Sequence, residues 1–590
     1  MSERVLMLGN EAIARGVWEA GAIFAAAYPG TPSTEILENI GRHYPEVRAQ
    51  WCTNEKVAFD EAIGVSFAGG RAFVAVKHVG LNVASDPFMV FPYAGSIGGF
   101  VCVTADDPGM HSSQNEQDNR YYAKFGKVPC LEPSDGDEAR RWIKKAYELS
   151  EQWESPVLLR TVTRLSHTRS AVELGERTEY PLKEHPKNFD RNVVPINRMK
   201  RRPVIEEKIN KIKEFAEEYE LNVIEEGDPN VGVIAGGVSY MYAREVFPEA
   251  TYFKLGMMWP LPEKKLKAFC KRFKKVYVIE EGEPFLEENL RIFGIKNIIG
   301  KKKLPVIGEY SPEVLAQNLQ KEKLPKAIKA KGKVLPRPPM LCAGCPHRGV
   351  FQAFKKERFY VHGDIGCYTL GAMPPFNAEH TVLCMGASIG MASGFTLTVP
   401  EEEKSKVCAV IGDSTFIHGG IPSLIDAVYN KIPVTVVILD NSTTGMTGQQ
   451  NHPGTGKTIR EEETHKIDIE TVCRAVGVKK VVKVDPYDFK ATREAVKEVG
   501  AYREGPSVLI SERICVQLPE FKYAVHPIAV HDAEKCEQCL ACDSIKCPYL
   551  AIDESKTPVI NVALCVGCGM CVQLCKQEAL SLVEREPSKV

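Results

Sequence analysis

Eight cysteines fall between Cys536 and Cys575, and no other feature of the sequence restricts its fold so strongly. Cys536, Cys539 and Cys542 are separated by two residues each, and Cys547-Pro548 follows. Cys565, Cys568 and Cys571 repeat the spacing, with Cys575 after them. Three thiolates at that spacing wrap one face of an iron-sulfur cubane, and a fourth completes the ligand set. Two structural zinc sites would also take four cysteines each, but zinc ligands seldom come three in a CxxCxxC row. The pattern makes electron transfer part of this chain's work.

The two runs resemble those of bacterial two-cluster ferredoxins. The resemblance implies one 4Fe-4S cluster on Cys536, Cys539, Cys542 and Cys575, and a second on Cys565, Cys568, Cys571 and Cys547, each fourth cysteine serving the other run's cluster. The first run departs from the family pattern: Asp543, Ser544, Ile545 and Lys546 stand between Cys542 and Cys547 where three residues are usual, and Lys576 replaces a proline after Cys575. A ferredoxin-like tail also implies that electrons arise or are consumed elsewhere in the chain.

At 590 residues there is too much chain for one core. A hydrophobic content of 44% and a charged content of 26% are those of an ordinary globular protein. The 75 basic and 76 acidic residues leave a net charge of -1, so no global field favours nucleic acid or an anionic membrane. No apolar run approaches the ~20 residues that cross a bilayer. We expect a cytoplasmic protein in a reducing compartment, with no nucleic-acid or membrane partner.

Along the chain, the runs Phe73–Val76, Phe100–Val103 and Val157–Leu159 alternate with helical stretches as in parallel βαβ units. The stretch from Glu184 to Glu207 shows no periodic apolar face and reads as a linker. Val231–Gly237 and Val276–Ile279 are the strands of a smaller α/β region, and the basic segment Lys321–Pro339, with Pro325, Pro336, Pro338 and Pro339, marks another crossing. Strand Val407–Ile411, helix Gly420–Asn430 and strand Val434–Leu439 then form the clearest βαβ unit, with polar loops at the strand ends where open parallel sheets bind ligands.

Gly412-Asp413-Ser414 closes the first of those strands, and Asn441, 28 positions after Asp413, closes the next. The pair resembles the thiamine diphosphate signature, with Ser414 in place of a glycine and Asp440 in place of an asparagine. The resemblance implies Mg2+ held by Asp413, Asn441 and the carbonyl of Thr443, a hard-oxygen set suited to that ion. Asn54-Glu55 resembles the family's opening of the pyrimidine-site helix and implies Glu55 as the carboxyl that protonates the aminopyrimidine ring; a helix N-terminal glutamate favoured by the dipole is the plainer alternative.

Tyr28-Pro29-Gly30-Thr31-Pro32-Ser33-Thr34 is similar to a segment of 2-oxoacid:ferredoxin oxidoreductases, which implies that Thr31 faces the substrate. The order of regions, with Leu255–Pro262 in the second, closely resembles the alpha subunits of the indolepyruvate:ferredoxin oxidoreductase family. This implies an α/β fold of three thiamine-enzyme-like domains with parallel sheets, plus a small α+β two-cluster ferredoxin domain. The expected boundaries are 1–190 for a pyrimidine-binding domain and 200–330 for a transketolase C-terminal-like domain. Residues 340–525 would form the thiamine diphosphate/Mg-binding domain, and 526–590 the ferredoxin-like domain.

Cys342-Ala343-Gly344-Cys345-Pro346-His347 and Cys367 are similar to cysteines that hold a cluster near thiamine in related pyruvate enzymes. Cys515 is the fourth ligand we favour, with Cys384 and Cys408 as alternatives; a loop shaped by Cys342 and Cys345 without metal is the competing reading. Arg120 is a candidate for holding the substrate carboxylate or coenzyme A, against a solvated loop arginine. His347, His362, His418 and His452 are candidates for lining the site, without assigned roles, and Cys102 and Cys270 read as core.

The implied activity is thiamine diphosphate-dependent oxidative decarboxylation of arylpyruvates to aryl-acetyl-CoA and CO2. Electrons would pass through the clusters to ferredoxin, and a smaller beta subunit would complete an α2β2 assembly. The alternatives are a subunit acting on a non-aryl 2-oxoacid, a non-oxidative decarboxylase, which has no use for eight cluster cysteines, and a non-catalytic electron-transfer subunit.

Overall fold

Apolar runs buried on both faces, rather than alternating, become the central strands of parallel sheets covered by helices. The structure, a computed structural model, describes residues 4–184, 189–320 and 338–585. The chain divides into two units, Met1–Gly332 and Lys333–Val590.

The first unit contains a seven-stranded sheet in the order Met257–Trp259, Cys130–Leu131, Val157–Val162, Phe100–Asp106, Ala72–Lys77, Phe24–Ala27, Arg48–Trp51. Every residue of Ala72–Lys77 and Phe100–Asp106 is buried, which is why these strands show no polar alternation. All neighbours are parallel except Met257–Trp259, antiparallel to Cys130–Leu131. The Leu255–Pro262 segment, expected in the second region, thus lends its strand to the first sheet. A five-stranded sheet follows in the order Ile298–Ile299, Val276–Ile279, Asp228–Gly236, Ala250–Leu255, Val223–Glu225. Cys102 and Cys270 are buried in the core.

The expected linker from Glu184 to Glu207 is corrected over its second half, where a helix begins at Pro195 and runs to Glu218. Its buried positions are Asn197, Ile205, Ile209, Ile212 and Ala216. The apolar stripe starts only at Ile205, so the basic residues before it hid the helical period. Of the Lys321–Pro339 crossing, all but Pro338 and Pro339 lie outside the described residues.

The second unit contains a five-stranded parallel sheet, Tyr360–His362, Val407–Gly412, Thr435–Asp440, Ser507–Glu512, Lys480–Val484, with helix Ile421–Tyr429 between its second and third strands in sequence. The cysteine-rich tail adds two antiparallel pairs, Ile528–His531 with Leu580–Val583 and Leu550–Ile552 with Pro558–Ile560. It is packed into the same unit: Met570, Leu574 and Ile545 join the core around Val350, Phe354 and Tyr487. Gln573 fixes the join, donating to the Tyr487 carbonyl at 2.5 Å and accepting from the Phe489 amide at 2.9 Å. Among the described residues no helix is long and apolar enough to cross a membrane.

Candidate functional site

In the first unit, Asn54 caps helix Glu55–Phe67, its side chain accepting from the Val57 amide at 2.9 Å. The cap places Glu55 at the first helical position, where it is 6% exposed. Its carboxylate lies against Gly80: a Cβ there would stand 2.6 Å from Oε1, so a side chain at 80 would displace the carboxyl. Thr31 follows strand Phe24–Ala27, and its carbonyl accepts from Ser112 Oγ at 3.3 Å.

Arg120 is neither solvated nor open to a ligand. It is 1% exposed, donates to Asp118 and Glu280 at 2.9 Å each, and reaches the carbonyls of Glu281 and Glu283 at 3.1 and 3.2 Å. Burial works against its charge, but Asp118 and Glu280 outweigh burial and raise its pKa. Arg160, with Asp106 and Glu132 at 2.6 Å, continues the same buried network. Arg120 ties the seven-stranded sheet to the end of strand Val276–Ile279, and its acid partners already neutralise it.

In the second unit, two neighbouring strand ends deliver the oxygen donors. Asp413 follows Gly412 at the end of Val407–Gly412 and is 3% exposed; Asn441 follows Thr435–Asp440 and is 7% exposed. The two departures from the thiamine pattern have structural uses. The Ser414 hydroxyl accepts from Thr444 Oγ1 at 2.9 Å, and Asp440 accepts from the Ser442 amide at 3.0 Å; both tie down the loop carrying Thr443, itself buried. His452 Nε2 lies 3.2 Å from Asp413 Oδ2. Burial opposes the Asp413 charge, yet His452 holds its pKa below the usual carboxylate value. Burial, then the Asp413 charge, pushes Asp440 up to about 7. His452 thus touches a candidate magnesium ligand. His347, pushed down to about 4 by burial, stands edge-on to Tyr368, and His362, also at about 4 by burial, bonds Thr381 Oγ1 at 2.7 Å. His418 is buried in the turn Phe416–Gly420.

Cys342, Cys345, Cys367 and Cys515 gather beside these donors. Cys367 feels Cys515, Cys342 and Asp413; Cys345 feels Cys342 and Cys367; Cys515 feels Cys342 and Asp413. The Cys515 amide donates to the Asn441 carbonyl at 3.0 Å. A Cβ on Gly445 would stand 3.4 Å from Cys367 Sγ and 3.6 Å from Asn441 Nδ2. Of the two other candidates, Cys384 is exposed and senses Asp364, and Cys408 is wholly buried in its strand near Glu379.

The tail sorts its eight cysteines between two cavities. Cys547, Cys565, Cys568 and Cys571 line one; Cys536, Cys539, Cys542 and Cys575 line the other. The extra residue before Cys547 is absorbed by a 3-10 turn, Ala541–Ile545, followed by Lys546 at φ 52°. Burial pushes the Cys568 and Cys571 thiols up to about 11 and about 12, so a bound cation is what would make thiolates of them.

Arg348, which the sequence did not single out, joins the two groups of cysteines. It is 1% exposed; Nε donates to the Cys342 carbonyl at 2.7 Å and Nη1 to the Ile545 carbonyl at 3.2 Å, with further bonds to the carbonyls of Leu341 and Lys546. Gly344, at φ 66°, lets the Cys342–Cys345 loop close on the tail, since a Cβ there would meet Val566 Cγ2 at 2.2 Å. Ala343, Gly344 and Arg348 accordingly form one wall of the cavity lined by Cys547.

Residues 15–231 match the family described as pyruvate flavodoxin/ferredoxin oxidoreductase, thiamine diphosphate-binding. Residues 364–511 match the thiamine pyrophosphate enzyme C-terminal TPP-binding domain, and 558–581 the 4Fe-4S binding domain. The chain is 40% identical to the indolepyruvate oxidoreductase subunit IorA of Archaeoglobus fulgidus over 616 residues, and 40% identical to that of Thermococcus kodakarensis over 632, covering in each case 98% of this chain and 97% of the relative. A 2-oxoglutarate synthase subunit KorA of Methanothermobacter thermautotrophicus is 23% identical over 52% of this chain and 95% of its own length. Together these matches support thiamine-dependent 2-oxoacid:ferredoxin oxidoreduction, an iron-sulfur cluster and a partner subunit. The chain belongs to the IorA subunit family of indolepyruvate oxidoreductases, within the 2-oxoacid:ferredoxin oxidoreductase superfamily.

Proposed function

We propose that this subunit, with a smaller beta subunit in an α2β2 assembly, carries out oxidative decarboxylation of arylpyruvates to aryl-acetyl-CoA and CO2 and passes the electrons to ferredoxin. The observation that carries this reading is the meeting, within one unit, of the Asp413–Asn441 oxygen donors with Cys342, Cys345, Cys367 and Cys515. It supports a site where a decarboxylating cofactor lies beside its first electron acceptor.

Thiamine diphosphate supplies the electron sink for loss of CO2 when bound. Asp413, Asn441 and the Thr443 carbonyl suit the Mg2+ that would hold its diphosphate, being hard oxygen donors from adjacent strand ends. Glu55 holds the proton for the pyrimidine ring nitrogen, its carboxyl fixed by the Asn54 cap and by Gly80. In this reading the tail cysteines would hold two 4Fe-4S clusters, and Cys342, Cys345, Cys367 and Cys515 a third. Arg348 keeps the third cluster's loop against the wall of the tail cavity, which supports an electron route from the decarboxylation site outward. The arylpyruvate assignment rests on the substrate for which the IorA relatives are named.

The test pairs this chain with its beta subunit and follows reduction of a viologen dye driven by a panel of 2-oxoacids in the presence of coenzyme A. Arylpyruvates are expected to give the highest kcat/KM. Glu55→Gln is expected to lower the rate by about 10²- to 10⁴-fold, the range of a lost acid-base group. Undiminished activity in that variant would leave the thiamine reading without its proton donor.

A further inference from the structure

The first unit buries an ammonium group that its fold does not neutralise. Lys77 closes strand Ala72–Lys77 and is 8% exposed. Its Nζ donates to the Ser112 carbonyl at 2.5 Å, and among the described residues no carboxylate lies within 4.0 Å of it. The acidic group whose charge reaches it is Asp107, which already accepts from the Ser112 amide at 2.8 Å and from the Ser113 and Thr163 hydroxyls at 2.6 Å each. Burial pulls Lys77 down to about 8, with Asp107 a partial offset. An ammonium carries three donors, and among the described residues Lys77 engages one of them, so the group is desolvated and under-bonded.

Its neighbours are the candidate substrate residues of this unit. A Cβ on Gly30 would stand 3.0 Å from Lys77 Cβ, which puts Lys77 against the loop carrying Thr31. Ser112 holds both: its carbonyl accepts from Lys77 and its hydroxyl donates to the Thr31 carbonyl at 3.3 Å. Helix His78–Val83 begins at the next residue and brings Gly80 against Glu55. His78 is itself fully buried, and among the described residues its Nδ1 has no partner. These groups extend from the carboxyl ends of the neighbouring parallel strands Phe24–Ala27, Ala72–Lys77 and Phe100–Asp106, or pack against them, where such sheets receive ligands.

We propose that Lys77, and not Arg120, receives the carboxylate of the 2-oxoacid substrate. The assignment rests on the 2-oxoacid reading above. Arg120 is neutralised by its own acids, whereas Lys77 lacks a counter-ion and has donors to spare for a single carboxylate. The ammonium fixes the acid end of the substrate beside Thr31; coenzyme A, whose anions are phosphates, is not its ligand.

The test uses the assembled complex with wild type, Lys77→Met and Lys77→Arg. Equilibrium binding is measured for an arylpyruvate analogue bearing a carboxylate and for its neutral primary amide, and KM is measured for the 2-oxoacid and for coenzyme A. Lys77→Met is expected to weaken the carboxylate and raise the oxoacid KM by about ten- to a hundredfold, the range of a lost charged hydrogen bond, with amide binding and the coenzyme A KM unchanged. Lys77→Arg is expected to recover most of the loss. Methionine matches the length of the lysine stem and removes a buried charge, so Tm should not fall; if it does, Lys77→Gln takes its place with the same expectations. Unchanged carboxylate binding, or a rise confined to the coenzyme A KM, overturns the assignment. A wild-type complex that binds no 2-oxoacid overturns the functional reading instead.

Discussion

A side chain's environment decides what its chemistry is worth. Cys547 is a candidate ligand whose neighbourhood agrees with its spacing: the 3-10 turn before it takes up one extra residue and returns the thiol to the cavity of Cys565, Cys568 and Cys571. Cys547→Ser is therefore expected to remove one cluster, lowering iron by roughly four per chain while the other tail cluster keeps its EPR signal; unchanged iron and spectra would place the fourth ligand elsewhere. Glu379 shows the opposite case, a carboxyl that the motifs did not pick out. It is 7% exposed, neither oxygen has a hydrogen-bond partner among the described residues, and burial, then Asp364, pushes it up to about 9. A carboxyl raised in the folded state binds a proton that the unfolded chain releases near the ordinary value, so its contribution to stability declines as pH rises from about 4.5 toward 9. Glu379→Gln removes that decline. The Tm of the variant should exceed wild type by more at pH 8.5 than at pH 5, and an equal difference at both would show that Glu379 does not titrate in that window.

At the level of elements, strands were easier to read than their surroundings. The runs Phe73–Val76, Phe100–Val103, Val276–Ile279 and Val407–Ile411 each lie within an observed strand, because a strand buried on both faces must be apolar along its length. Helix Pro195–Glu218 escaped because its apolar positions begin ten residues after its start. The tail's ferredoxin spacing was legible, yet its mode of attachment was not: Met570 and Leu574 are surface-like residues of a short segment until Tyr487, Phe489 and Val350 are placed beside them. Ending the chain at residue 525 exposes that face and strips Gln573 from Tyr487 and Phe489. We expect the shortened protein to bind a hydrophobic dye and to lose the sharp thermal transition of the full chain; an unaltered transition would mean that the tail is an independent appendage.

Across the whole molecule, the sequence by itself determined what ligand chemistry requires by residue type. Eight cysteines at cluster spacing, Asp413 with Asn441 at two strand ends, and Asn54-Glu55 at a helix start could be read because thiolates, hard oxygens and a capped carboxyl cannot be exchanged for other groups. The tertiary structure decided which charges are already answered and which thiols stand together. Arg120 and Lys77 are both cations at the ends of strand-loop motifs, but one folds against Asp118 and Glu280 and the other meets a single carbonyl. Cys515 stands near Cys367, and Arg348 binds carbonyls just over two hundred residues apart in sequence. The reason is physical: a ligand set is fixed by local spacing and atom type, whereas neutralisation, desolvation and adjacency depend on partners that only long-range packing brings within a few ångströms.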